Sequence, residues 1–209
     1  MVIETEKRLT KTQQEGKEIF ETLRDELSAA GYKEKPVLVS ALKANVVALL
    51  IAIPMIMILY SFYEFVHEDT GQTSISMTGM LLLAFFVSIV IHELIHGISF
   101  ALFTKEGWKS IKFGVIWKVV TPYCTCREPL PRNQYLISAM LPTIILGVIP
   151  YIFALVIKNK FLLDLSVLNI LGGGGDIYIS LKLRKYKEHL VIDHPYLVGC
   201  VAFQKTNID

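Results

Sequence analysis

The sequence predicts an all-α polytopic membrane protein with four transmembrane helices, and three observations support this fold class. Of its 209 residues, 53% are hydrophobic and only 19% are charged, whereas a soluble domain is typically about a quarter charged. The charges concentrate near the N-terminus, with eight acidic and eight basic side chains within residues 1–43. Long apolar runs follow, and about 20 residues are enough to cross about 30 Å of hydrocarbon.

The same composition excludes several other classes of protein. Its high hydrophobicity excludes a disordered chain, and a net charge of +2 excludes a nucleic-acid binder that relies on a strong basic field. The three cysteines, Cys124, Cys126 and Cys200, are too few and odd in number for a disulfide scaffold. We therefore expect the lipid bilayer as a partner and no nucleic acid.

Residues 1–43 are predicted to form a cytoplasmic region with an amphipathic helix. Apolar side chains recur at helical spacing between residues 13 and 30, charged side chains lie between them, and Gly31 follows as a stop. Such a helix packs on the membrane surface or on the rest of the protein, and this interpretation is favoured over a helix that docks a partner.

Four apolar runs predict the transmembrane helices of a domain that covers residues 44–181. Pro54 is expected to kink the first helix, and two further prolines, Pro142 and Pro150, lie within the third. The second and fourth runs carry the ionisable residues discussed below. The predicted spans are residues 44–63, 77–104, 134–157 and 161–181.

The distribution of basic residues predicts the orientation of these helices. With both termini in the cytoplasm, nineteen Lys and Arg residues lie inside and only the two within 158–160 lie outside. The segment 182–209 is then a cytoplasmic tail, and the chain is expected to be a multi-pass protein of the cell membrane.

The loop at residues 105–133 is predicted to contain a strand or hairpin at the cytoplasmic interface. Apolar side chains occupy the odd positions from Ile111 to Val119, which is the alternation of a strand. Thr121 and Pro122 are expected to end that pattern. The tail is expected to contain one further short strand.

The segment from His92 to His96 carries the chemistry, because it has the form His-Glu-x-x-His inside the second span. Residues four apart share a face of a helix, so both imidazoles can reach one metal ion. Glu93 is offset from that face and suits a base acting on a metal-bound water. Ionisable residues at mid-membrane are costly unless paired or ligated, which favours a zinc site over a structural polar cluster or an ion pathway.

A zinc site needs a third protein ligand, and Asp176 is the favoured candidate. Glu106 and Glu128 lie in the interfacial loop, whereas Asp176 lies in the fourth span within about 5–10 Å of the depth of the histidines. The glycines that precede it allow the helix to bend and backbones to approach closely. The alternative is that Asp176 is an interfacial carboxylate near Lys182 and Arg184.

Three further groups are weighed as part of a site. Asn169 either holds a substrate backbone or forms an interhelical hydrogen bond. Asp164 is expected to be interfacial, four residues after Lys160. Cys124 and Cys126 are separated by one residue, whereas zinc ligands usually have two to four residues between them, so a metal role is not expected.

Several segments together resemble the site-2 protease group of intramembrane zinc metalloproteases, and more closely a small bacterial family of zincin peptidases of unknown function. The resemblance covers roughly residues 77–200 and rests on HELIHG, TPY, EPLP, a proline-bearing third span, GGD and IDHP. It implies a bacterial protein with Zn²⁺ as cofactor, Asp176 as the third ligand and Asn169 as the associated asparagine. The Asn-Pro stretch of site-2 proteases is missing, and Ile177 takes the place of the glycine that follows their aspartate.

The sequence thus favours a zinc-dependent endopeptidase that hydrolyses membrane-embedded or membrane-adjacent peptide bonds. Its partner would be a membrane protein or peptide substrate, which the strand at 111–119 could capture by edge pairing. The alternative is a non-proteolytic metal-binding membrane protein, either a transporter or a sensor.

Overall fold

The computed structural model describes residues 11–39, 41–67, 75–117, 121–187 and 189–206. Residues 1–10 of the predicted N-terminal region lie outside this description, as do Lys118 and Val119 of the predicted strand. The described chain is mostly helical, with two small sheets. The helices are α1 Lys11–Ala29, α2 Ala41–His67, α3 Ile75–Phe103, α4 Arg132–Thr143, α5 Ile149–Ile157, α6 Lys160–Gly172 and α7 Gly174–Leu183; the strands are β1 Tyr32–Leu38, β2 Ile111–Ile116, β3 Thr121–Cys126, β4 Leu130–Pro131, β5 Leu190–Asp193 and β6 Gly199–Lys205.

Three of the described helical segments are long and apolar enough to cross a membrane, namely Leu50–His67, Met77–Phe103 and Arg132–Ile157. The third consists of α4 and α5 joined by a π-helical turn at Ile144–Val148. A fourth is counted if α6 and α7 form one span. The predicted membrane association is therefore supported, and the number of spans is three or four.

A bend of 46° separates α6 from α7, and Gly173 lies at the break. A side chain at this position would overlap the hydroxyl of Thr143 on α4, so only glycine permits this approach of the two backbones. The two helices therefore leave the break in different directions, and this brings the start of α7 close to α3.

The larger sheet joins the two ends of the chain in the strand order β1-β6-β5-β4. β1 pairs antiparallel with β6, so that Tyr32 lies opposite Lys205 and Leu38 lies opposite Gly199. The sequence predicted one further strand in the tail, whereas two strands, β5 and β6, form there. β1 was not predicted at all. The regions drawn at residues 1–43 and 182–209 thus contribute strands to one sheet.

This sheet lies between α1 and the ends of the membrane helices. On β6, Val201 and Phe203 point towards Phe20 of α1. Cys200 and Ala202 alternate to the opposite face and pack in a core that includes side chains of α3, α4 and α7. The predicted amphipathic helix is therefore present, and its apolar face is covered by the protein's own sheet.

The second sheet is the hairpin of β2 and β3, which confirms a hairpin after the second span. The expectation that Thr121 and Pro122 end the strand pattern was wrong, because both lie in β3. Pro122 pairs with Val115 two positions from the Phe113–Cys124 pair. The backbone nitrogen of a residue in this pair faces away from β2, so a proline there removes no hydrogen bond between the two strands.

Asp164 is buried between α2 and α6 and has two partners there. Its Oδ1 accepts a hydrogen bond of 2.5 Å from the hydroxyl of Tyr60 and forms an ion pair with Lys160. A charge in an apolar region needs such partners, and the basic residue four positions earlier supplies one of them. These contacts tie α2 to α6 at the end of the bundle.

Candidate metal centre

His92, His96 and Asp176 converge, although 80 residues separate His96 from Asp176 in the sequence. The Oδ2 atom of Asp176 lies 3.1 Å from Nε2 of His92 and 3.4 Å from Nε2 of His96. One ligand atom of each residue lies within 4.8 Å of the others. The structure thus brings together the three residues that the sequence analysis selected as metal ligands.

Helical spacing places the two histidines on the same face of α3. Their ring centroids are 4.8 Å apart, and the ring of His96 stacks on Phe100 one turn further along. His96 is buried, whereas the side chain of His92 is 11% exposed. The pair is therefore fixed by packing on one side and open to a ligand on the other.

The bend at Gly173 positions Asp176. α7 begins at Gly174, so Asp176 lies in its first turn, where a carboxylate interacts favourably with the helix dipole. A straight helix through residues 161–181 would carry this side chain along the axis of α6 instead. The glycine-rich break is therefore a structural requirement for the convergence.

The donor set fits zinc. Two imidazole nitrogens and one carboxylate oxygen are the protein ligands of a catalytic zinc site that keeps one position open. Ligand bonds of about 2.0–2.1 Å in tetrahedral geometry give separations of about 3.3 Å between ligand atoms, close to the observed 3.1 and 3.4 Å. The third separation, between the two imidazole nitrogens, is within 4.8 Å, so the cluster has the donor atoms and the approximate size of a site for one Zn²⁺.

Glu93 lies beside this cluster, next to β3. The carboxylate interacts with the backbone N–H of Cys124 and lies within electrostatic range of both histidines and Asp176. β3 packs against α3 along this stretch. Glu93 therefore lies at the contact between α3 and the hairpin, beside the three candidate ligands.

The close packing of the hairpin depends on Gly97, directly after the second histidine. A side chain here would overlap the ring of Phe113 on β2 and contact Trp108. Glycine therefore allows the aromatic side chains of the loop to lie directly on α3, next to the metal ligands.

Asn169 has a different environment from the three ligands. It is buried in α6, and its Nδ2 donates a hydrogen bond of 2.9 Å to the carbonyl of Leu165 on the same helix. This hydrogen bond lies within α6, in place of the interhelical hydrogen bond that was one of the two alternatives. Its amide serves to satisfy the helix backbone.

The alternative ligands of the loop have structural roles. Glu128 accepts hydrogen bonds of 3.0 Å from the backbone N–H groups of Lys105 and Glu106 and a further one from Ser110. Although burial opposes it, these hydrogen bonds lower the pKa of Glu128 below its ordinary value. Burial raises the pKa of the Cys126 thiol to about 12, and that of Cys124 also rises. Neutral thiols are poor metal ligands.

Sequence reasoning missed Asp193, which joins three elements near the site. Oδ2 of Asp193 accepts a 2.8 Å hydrogen bond from the backbone N–H of Cys126, and Oδ1 accepts one from the hydroxyl of Tyr135. Burial raises the pKa of Asp193 to about 6, although these two hydrogen bonds act in the opposite direction. The only signal in the sequence is an acidic residue in an otherwise apolar strand.

This shifted pKa predicts a pH dependence of stability. The carboxyl group is harder to ionise in the folded protein than in the unfolded chain, so its contribution is full below about pH 4 and is lost as the pH rises through about 6. We expect Asp193→Asn to raise the unfolding temperature relative to wild type by a few degrees more at about pH 7.5 than at about pH 4.

The measurement is thermal unfolding in detergent with a chelator in both samples, because metal affinity itself depends on pH. A difference between the two proteins that stays constant over this range would contradict the prediction.

Apolar membrane-length helices, with two histidines on one helix facing a carboxylate from another, define a candidate membrane-associated metalloprotein. The chain belongs to the family described as putative zincin peptidase, whose model matches residues 85–191, just over half of its length. Membership of this family indicates a zinc metallopeptidase. No curated protein and no solved structure matches the chain.

Proposed function

We propose that the protein is a zinc-dependent endopeptidase that hydrolyses peptide bonds of membrane-embedded or membrane-adjacent substrates. The observation that carries the proposal is the convergence of His92, His96 and Asp176 within 4.8 Å, inside apolar helices and beside Glu93. A zinc ion held there would acidify a water molecule and polarise the scissile carbonyl. The family assignment supports the zinc chemistry, and the apolar helices support a substrate in or at the membrane.

Glu93 is assigned the proton transfers. Its carboxylate accepts a proton as the water oxygen bonds to the carbonyl carbon, and it delivers this proton to the amide nitrogen as the C–N bond breaks. The second proton of the water also passes through Glu93 to the leaving nitrogen, so the products are a carboxylate and a protonated amine and Glu93 ends unprotonated. Asn169 is given no step, because its amide is engaged with Leu165.

The edge of β3 beside Glu93 is proposed to bind the unwound substrate as an added strand, with the substrate taking the place of the contact between the N–H of Cys124 and Glu93. The N–H of Arg127 donates to the carbonyl of Ser110 at 2.9 Å, which makes this a hydrogen-bonded pair. Along an antiparallel ladder, hydrogen-bonded pairs alternate with pairs that share no hydrogen bond. The Phe113–Cys124 pair is three positions from Ser110–Arg127 and is therefore of the second kind, so the N–H and C=O groups of Cys124 point away from β2. They lie beside Glu93, where a substrate backbone must be extended to be cut. The sequence had pointed to the neighbouring strand at 111–119 for this role.

Cys124→Pro tests this edge, with Cys124→Ala as the matched variant. Proline removes the outward N–H and leaves the ladder to β2 intact, as Pro122 does two residues earlier in the same strand. We expect the KM of Cys124→Pro to be about tenfold above that of Cys124→Ala, the cost of one hydrogen bond to the substrate. Loss of the N–H contact to Glu93 would instead lower kcat. Equal values of KM for the two variants would exclude backbone pairing at this residue.

The function itself is tested with purified protein in liposomes that contain a single-span peptide. Cleavage that stops with a zinc chelator and returns on addition of Zn²⁺ is the expected result. Flux of metal across the liposome membrane without cleavage would favour the transporter alternative and would reject the endopeptidase.

A further inference from the structure

The second nitrogen of His96 has a defined partner on another helix. Its Nδ1 lies 2.9 Å from the backbone carbonyl of Ser138 on α4, and both residues are buried. A carbonyl oxygen only accepts hydrogen bonds, so Nδ1 must carry the proton. The lone pair of the neutral ring is then on Nε2, the atom that lies 3.4 Å from Asp176. This contact selects the tautomer that can bind a metal.

A carbonyl in the middle of a helix is normally occupied, because it accepts the N–H of the residue four positions later. The residue four positions after Ser138 is Pro142, which has no N–H. The carbonyl of Ser138 therefore lacks its ordinary helical donor. His96 donates to it instead, and the hydroxyl of Ser99 lies 3.5 Å from the same oxygen.

The helix that contains Pro142 continues past it through an irregular turn. Pro142 is fully buried, and α4 runs on through Thr143 into the π-helical turn at Ile144–Val148. Irregular turns of this kind absorb the interruption of a helical ladder, and they often occur at functional sites. The second proline of the span, Pro150, lies at the start of α5. The carbonyl four positions before it is that of Leu146, within the π-helical turn, where the bonding pattern runs to the residue five positions later.

We propose that Pro142 is a positioning residue of the metal centre, because it leaves the carbonyl of Ser138 available to orient His96. This inference rests on the proposed metal site and deepens it. It assigns a function to a proline whose removal would otherwise be expected only to straighten a helix. Partners of metal-bound histidines contribute about 10- to 100-fold to metal affinity.

The test compares Pro142→Ala with Pro150→Ala in the full chain, purified in detergent. The backbone N–H that Pro142→Ala introduces would compete with His96 for the carbonyl of Ser138, so we expect Zn²⁺ affinity to fall by about 10- to 100-fold. Pro150→Ala makes the same exchange in the same span and should stay within about threefold of wild type. Competition with a chromophoric chelator gives the affinities without any substrate. Equal affinities for the two variants would overturn the proposal.

A second measurement does not depend on whether Pro142→Ala folds. In metal-free wild-type protein labelled with ¹⁵N-histidine, the signal of His96 should show a protonated Nδ1; the signal is assigned by difference from His96→Gln. In Pro142→Ala we expect part of the population to lose the proton on Nδ1. An Nδ1 without a proton in the wild type would overturn the inference. Neither measurement uses cleavage. A protein that binds zinc but cuts no peptide would refute the endopeptidase, and the zinc affinities and the His96 signal would still test the role of Pro142.

Discussion

Glu93→Gln is expected to reduce the rate of peptide cleavage by about 100- to 10,000-fold while the bound zinc stays at the wild-type level. Glutamine has nearly the same shape and keeps an oxygen for the N–H of Cys124, but it cannot accept a proton at neutral pH. Because the three ligand atoms belong to His92, His96 and Asp176, the exchange leaves the donor set unchanged. The cleavage rate should therefore fall while the zinc content stays unchanged.

The measurement pairs initial cleavage rates with elemental analysis of the same purified samples. Glu64→Gln is the matched control, because it makes the same exchange at an exposed position near the end of α2. Its rate should equal that of wild type. Cleavage by Glu93→Gln at the wild-type rate, with a full complement of zinc, would remove the general base from the mechanism.

The helical part of the fold could be predicted from the sequence because its signals are local. Apolar runs and a 3.6-residue period set the approximate bounds of α1 to α5, and each predicted span overlaps the observed helix within a few residues. Lys160 and Asp164 were also recognised as neighbours on one helix. Their shared partner Tyr60 is 104 residues away from Asp164 in the chain, and spacing alone does not identify it.

The larger sheet could not be predicted because its strands pair across the whole chain. β1 carries Lys33, Glu34 and Lys35 in succession and therefore has no apolar alternation. It is an edge strand, where charged side chains and Pro36 are tolerated and discourage further pairing. Only the partner strand β6, with its buried and alternating side chains, shows why this segment is extended.

The candidate site likewise has residues that local sequence patterns predict and features that depend on tertiary contacts. His92, Glu93 and His96 follow from the helical period, and Asp176 follows from its depth in the membrane together with the glycines before it. The 46° bend at Gly173 is a tertiary feature, because it depends on close contact with Thr143. Backbone groups such as the carbonyl of Ser138 carry no sequence signal of their own, apart from the proline four residues later.

Asp176→Ala is expected to lower Zn²⁺ affinity by more than about 100-fold and to abolish cleavage at limiting zinc, because removing a direct ligand costs more than removing a ligand's partner. Two imidazoles on α3 remain, but two protein ligands do not complete a catalytic zinc site. Asp25→Asn, at an exposed position on α1, is the control and should bind zinc as wild type does.

The affinity is measured by competition with a chromophoric chelator, and cleavage is measured across a zinc titration. Excess zinc should restore part of the activity of Asp176→Ala, because Glu93 and both histidines are still in place and weak binding can be overcome by mass action. No such rescue is expected for Glu93→Gln, whose defect is in proton transfer and not in metal binding. Wild-type affinity in Asp176→Ala would show that the carboxylate 3.1 Å from His92 is its ion-pair partner and not a metal ligand. The opposite responses of the two variants to zinc thus separate the residue that holds the ion from the residue that uses it.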